Sequence, residues 1–183
     1  MKITSPLKDS KYLDLKIGDE VLISGIIYTA RDAAHKRLLD DINKNKSLPF
    51  SLKDNIIYYT GPTPTPPNRP IGSAGPTSSY RMDSYSIKLM ELGQKIMIGK
   101  GQRSKEFKKA LQEHNAVYLT TIGGAGALIS NCIKSSKIIA YDDLQSEAIY
   151  ELHVENLPAI VVYDSNGNDL IEQEIKKYKN LLK

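Results

Sequence analysis

From residue 78 to residue 140 the chain repeats one rhythm, an apolar stretch, a glycine-rich loop and a helical pattern, which admits few folds besides a layered α/β architecture. Spacing predicts a helix over 78–92, ended by Gly93. Lys95 to Ile98 reads as a strand, and Gly99-Lys100-Gly101 as a tight turn. Ser104 is placed to cap a helix ending near His114. Ala116 to Thr120 is a strand, Gly123-Gly124-Ala125-Gly126 opens another helix, and Lys137 to Ala140 is a further strand.

The first half carries fewer helices, so the sheet is expected to be mixed. Residues 17–29, after a turn at Gly18-Asp19, suit a strand. Ala33, Ala34, Leu38, Leu39 and Ile42 then recur at helical spacing, and Thr29 with Asp32 resembles a capping box. Residues 55–60 read as a short buried strand. Residues 61–76, GPTPTPPNRPIGSAGP, hold too much proline and glycine for a regular element, and an ordered functional loop is expected there. Residues 148–163 contain two apolar stretches broken at Asn156-Leu157-Pro158, and an amphipathic helix is expected over 170–183. The whole, 1–183, reads as a single domain without internal repeats.

Composition removes several classes of function. With 40% hydrophobic and 25% charged residues, wholesale disorder is excluded. No apolar run reaches membrane-spanning length, and the first residues lack a signal core, so a cytoplasmic protein is expected. The single cysteine, Cys132, excludes an internal disulfide and a self-contained iron–sulfur or four-cysteine zinc site. His35, His114 and His153 lack metal-ligand spacing, and His35 suits a packing or capping role. The net charge of +4 is interspersed with acids, which disfavours nucleic acid and suits a small anionic substrate.

Candidate chemistry collects in loops that lead from strands into helices, where open α/β sheets gather ligands and helix N-termini favour anions. Gly75 to Asp83 brings hydroxyls, backbone donors and Arg81 together, and an arginine there can grip a carboxylate. A capped helix with Arg81 paired to a nearby acid is the plain alternative. In Ile98-Gly99-Lys100-Gly101, glycines let the backbone approach a ligand and leave the ammonium prominent, although a simple turn would look the same. Residues 120–126 could bind an anion or merely let a helix pack closely. Arg31 stands where a strand hands over to a helix, able either to reach a ligand or to pair loosely with an acid. Neither the P-loop nor the dinucleotide fingerprint is present, which argues against a phosphate-ligand enzyme.

Together these segments resemble the β subunit, or C-terminal domain, of class I fumarases and L-tartrate dehydratases. The resemblance rests on TARDAAHKR at 29–37, GPTSSYRMD at 75–83, IGKG at 98–101, GGAGAL at 123–128 and EAIYELHVENLPAIVVYDSNGNDL at 147–170, all in the family's order. Three positions depart from its pattern: Ser78 for threonine, Tyr80 for glycine and Gly126 for alanine. Tyr80 adds bulk beside Arg81 and bears on which substrate fits.

The resemblance implies the "swivelling" β/β/α domain, a mixed sheet with flanking helices. It implies a hydro-lyase that reversibly hydrates fumarate to L-malate, or dehydrates L-tartrate. It implies Thr77 as the base and Arg31, Arg81 and Lys100 as holders of the substrate carboxylates. The family's [4Fe–4S] cluster, a Lewis acid towards the leaving hydroxyl, would be carried by an α subunit, so this chain is expected to be half of an active site. A β–β dimer within an α2β2 assembly is the family's arrangement. A diverged, non-catalytic module that binds a dicarboxylate or supports a partner is the competing reading, and Tyr80 is the feature that keeps it open.

Overall fold

Adjacent residues of a strand face opposite sides of a sheet, and on the central strands of this chain both sides are apolar and buried. The computed structural model describes residues 1–181. Its strands are β1 (Lys2–Ser5), β2 (Glu20–Thr29), β3 (Ile56–Tyr58), β4 (Ile96–Gly99), β5 (Val117–Thr120), β6 (Ile133–Ala140) and β7 (Ile149–Tyr163). Its helices are α1 (Asp32–Asn43), α2 (Asp83–Glu91), α3 (Lys105–Glu113), α4 (Gly126–Ser130) and α5 (Leu170–Leu181). The last two positions of the helix expected over 170–183 lie outside the described residues.

Strands β1 to β5 run parallel, while β7 is antiparallel to β2, β5 and β6. Because β7 pairs with both β5 and β2, strands β2-β3-β4-β5-β7 close into a barrel-like ring of five, with β1 added beside β2 and β6 beside β7. The fold is therefore mixed α/β with flanking helices, as expected. Ile23, Ile27, Ile56, Tyr58, Ile98, Leu119 and Val154 belong to a cluster supplied by all five ring strands, which fills the ring. The alternate residues Ile57, Tyr59, Met97 and Tyr118 form a second cluster with Leu38 of α1, Leu89 of α2 and Phe107 of α3. Helices thus cover the outer face.

Several boundaries differ from the sequence reading. The expected break at Asn156-Leu157-Pro158 lies inside one 15-residue strand, β7. Asn156 takes φ of 50° and its amide donates to the Ser24 hydroxyl rather than to the ladder, so the irregularity is local. The helix expected from 78 begins as a 3-10 turn at Tyr80–Met82 before α2. Strand β1 and a 3-10 segment over Asp142–Glu147 carried no strong sequence signal. Ser104 caps α3 as anticipated, accepting from the Phe107 amide at 3.1 Å. Thr29 caps nothing: its hydroxyl donates to the Ala148 carbonyl and accepts from the Tyr150 amide.

Candidate active site

The carboxyl ends of β2, β3 and β4 lie side by side in the parallel part of the sheet, and each delivers a candidate residue. Arg31 follows β2 and forms the N-cap position of α1. Lys100 follows β4 directly. Thr77 is brought to the end of β3 by the long loop, its amide donating to the Tyr59 carbonyl at 2.8 Å.

That loop is held at its base. The Thr60 hydroxyl donates to the Gly75 carbonyl at 2.7 Å, the buried Tyr58 hydroxyl to Ala74 at 2.6 Å, and the Ala74 amide to Gly126 at 3.1 Å. The Thr63 amide and hydroxyl close the next rung with Ser73, and Ile71 is buried in the core. Only the tip carries exposed prolines. A Cβ on Gly126 would come within 2.8 Å of the Gly75 nitrogen, so glycine allows the two loops to touch.

Thr77, Ser79 and Lys100 are laced together. The Lys100 amide donates to the Thr77 carbonyl at 3.2 Å and to the Ser79 hydroxyl at 3.1 Å, and the Ser79 amide donates back to the Lys100 carbonyl at 3.0 Å. Gly99 is obligatory here, because a Cβ would stand 2.1 Å from the Ser79 oxygen. The Lys100 ammonium enters no ion pair among the described residues, and its stem runs past Gly123.

Both arginines stay beside carboxylates of the chain itself. Arg81 donates from Nε to Asp32 Oδ1 at 2.7 Å and from Nη2 to Asp32 Oδ2 at 3.1 Å, and Nη2 also reaches Thr77 Oγ1 at 3.3 Å. This pairing holds the Asp32 carboxyl below the usual carboxylate range and raises the Arg81 guanidinium. Arg31 Nη2 lies 3.6 Å from Glu147 Oε1, a long contact, while Glu147 Oε2 accepts from the Ala33 amide at 2.8 Å. Glu147 thus supplies the N-terminal cap that Thr29 does not. Arg31 Nε is buried without a hydrogen-bond partner, and Arg31 lies so close over Gly61 that a Cβ there would sit 2.6 Å from Nη1. Both arginines thus form the plain ion pairs with nearby acids that the sequence also admits.

Behind this surface stands a buried polar group absent from the sequence reading. Arg103, 5% exposed, donates to Asp83 Oδ1 and stacks over the rings of Phe107 and Tyr118 at 3.5 and 4.7 Å. Asp83 Oδ2 also accepts from the Ser104 amide, tying α2 to α3 beneath the Ser79–Lys100 lacing. His35 is fully buried, and its Nδ1–H donates to the Arg31 carbonyl at 2.9 Å. Asp32, read from the sequence only as half of a capping box, instead pairs with Arg81, and Glu147 carries no sequence signal because nothing local ties it to α1.

The whole arrangement gathers two guanidinium groups, a hydroxyl and two carboxylates at one end of a parallel sheet, with the backbone of Lys100 laced to the same loop, a setting suited to a small diacid. No group of three or more potential metal ligands occurs among the described residues. Cys132, the single thiol, is half-buried, with Sγ 3.8 Å from the Asn156 carbonyl oxygen. These residues do not fit an iron–sulfur cluster. No helix among the described residues is long and apolar enough to cross a membrane.

Comparison with known proteins gives a consistent picture. The family model described as "Fumarase C-terminus" matches residues 1–174. The chain is 37% identical over 180 residues to "Fumarate hydratase class I, anaerobic" of Escherichia coli, covering 96% of this chain and 33% of that protein. It is 39% identical over 169 residues to "Putative L(+)-tartrate dehydratase subunit beta" of Methanocaldococcus jannaschii, covering 89% and 87%. It is 40% identical over 154 residues to "Fumarate hydratase 1, mitochondrial" of Leishmania major, covering 82% and 28%. The chain therefore spans about a third of the length of the fumarate hydratases it matches, and most of the tartrate dehydratase subunit.

Proposed function

The chain belongs to the fumarase C-terminus family, homologous to class I fumarate hydratases and to a tartrate dehydratase β subunit, and on that premise we propose that it is the β-subunit half of an iron–sulfur hydro-lyase that reversibly hydrates fumarate to L-malate. The observation that carries this reading is the contact between Thr77 Oγ1 and Arg81 Nη2, on a loop laced to Lys100. In the dehydration direction, Thr77 as alkoxide takes the proton from the carbon next to a carboxylate. The electron pair moves into that carboxylate and then returns to form the carbon–carbon double bond as hydroxide leaves the neighbouring carbon with the electrons of its C–O bond. A free threonine hydroxyl is too weak an acid to supply that base, so the neighbouring guanidinium and ammonium must favour its ionised form. Arg31, Arg81 and Lys100 hold the carboxylates, and the donors on the reacting carboxylate stabilise its growing charge.

The cluster belongs to an α partner, a reading supported by the greater length of the fumarate hydratases and by the word "subunit" in the tartrate relative's name. Exposed Tyr80 of the 3-10 turn, Ile122 of the loop after β5 and Leu128 of α4 are apolar surface that such a partner would cover. The tartrate reading stands second, favoured by the M. jannaschii relative's being a chain of similar extent.

The test is a hydration assay on this chain with and without a cluster-loaded α subunit, offered fumarate and, separately, L-tartrate. Turnover is expected only in the mixture, and the preferred diacid names the substrate. Arg81→Ala or Lys100→Ala should lower turnover of the assembled enzyme by about a hundredfold or more. Their ion pairing is exposed or absent, so the melting temperature should barely change. Wild-type turnover by either variant would remove it from the site.

A further inference from the structure

Arginine carries five N–H donors, and the chain itself engages three of those on Arg81. Asp32 takes Nε–H and one Nη2–H side-on, and Thr77 Oγ1 faces Nη2 as well. Among the described residues nothing accepts from Nη1. We propose that Asp32 is a positioning residue that locks the Arg81 guanidinium in one orientation, with Nη2 turned onto Thr77 and Nη1 left for a substrate carboxylate. This rests on the roles given above to Thr77 and Arg81.

Asp32 is suited to that task. It is the first residue of α1, so its backbone is fixed by the helix, and a carboxylate is favourable at that terminus. Arg31 on its N-terminal side and Glu147, capped onto Ala33, hold the same helix end. Two arginines and two acids then balance, which leaves Lys100 as the uncompensated cation of the group. Without Asp32 the guanidinium would rotate, and its hydrogen bond to Thr77 would become intermittent. The site would also gain one positive charge, so dianion binding would not weaken. The loss should fall on proton transfer and spare binding.

The experiment is steady-state kinetics of Asp32→Asn, Arg81→Ala and the double variant, each assembled with the cluster-carrying partner, with succinate as a non-reacting inhibitor. For Asp32→Asn, kcat is expected to fall about tenfold or more, while KM and the succinate inhibition constant stay level or decrease. Arg81→Ala should raise both constants. The double variant should be no slower than Arg81→Ala, because Asp32 acts only through Arg81. In the full chain alone, nitrogen-detected NMR should show the Arg81 Nε–H exchanging faster with solvent in Asp32→Asn, while the backbone amide spectrum away from α1 and Arg81 stays that of the folded wild type. An unchanged kcat, a loss confined to KM, multiplying losses in the double variant, or equal Nε–H exchange would each overturn the role of Asp32. A wild-type complex inactive on every diacid offered would instead overturn the functional reading beneath it.

Discussion

His35 shows how much a single buried side chain contributes to a site that it does not line. Its Nδ1–H and its own amide both donate to the Arg31 carbonyl, pinning the N-cap residue of α1. Its ring meets Tyr59 edge-on at 5.0 Å, and Nε2 has no partner. Burial, opposed only in part by the hydrogen bond to Arg31, lowers its pKa from 6.5 to about 4. The native state therefore stays unprotonated at pH values where the unfolded chain binds a proton, and stability rises with pH between those two values. Urea melts should show about 2 kcal/mol less stability at pH 5 than at pH 7.5 from this group. His35→Gln should flatten the slope over that interval. Carboxylates held low by arginine, such as Asp32, lose their contribution only in more acidic solution, so the two effects separate. An unchanged slope in the variant would show that another group carries it.

At the scale of elements, Gly25 decides whether β1 can join the sheet. It sits in β2 with φ of 105°, and a Cβ there would stand 2.0 Å from the Ser5 carbonyl oxygen. That neighbour is backbone and cannot swing away. Gly25→Ala should cost roughly 2–4 kcal/mol in denaturant titrations and strip amide protection from residues 2–5 before β4 and β5. Wild-type protection in that segment would refute this. Within single elements the sequence was a good guide. Apolar runs located β2 to β5, helical spacing located α1 and α3, and Gly93, with φ of 104°, ends α2 as expected. Pairing between distant elements was not legible. Closure of the ring depends on β7 meeting β2 in a register such as Val21 opposite Ala159, which no local pattern encodes. The break read at Asn156-Leu157-Pro158 follows sound turn chemistry, yet the Ser24 hydroxyl accepts from the Asn156 amide and absorbs the irregularity. The site divides in the same way. Arg31, Arg81 and Lys100 stand out as candidates because each sits at a strand-to-helix loop, and Thr77 only through the family resemblance, whereas the partnerships with Asp32 and Glu147 join segments far apart in sequence.

Across the whole molecule, the two apolar clusters are made by the same strands. Ile96 and Ile98 face the ring interior while Met97 between them faces the helices, and β3 and β5 alternate likewise. Neither cluster can disassemble without releasing the strands that the other needs, so the chain should unfold as one cooperative unit. Tyrosine fluorescence can report on this because the chain has eleven tyrosines and no tryptophan. Tyr58 lies in the ring cluster, and Tyr59, Tyr118 and Tyr163 lie under the helices. Ile98→Ala and Met97→Ala remove packing from opposite faces, each at a cost of about 2–5 kcal/mol. If the unit is single, both should shift the circular-dichroism and fluorescence transitions together and by similar amounts. Two transitions, with one variant moving only one of them, would show that the helical layer melts apart from the ring. The distinction bears on function, because Arg31, Thr77 and Lys100 hang from the ends of three neighbouring strands. A single cooperative unit would hold those ends in place in the chain alone, so that the proposed assembly would meet candidate residues already aligned on this side.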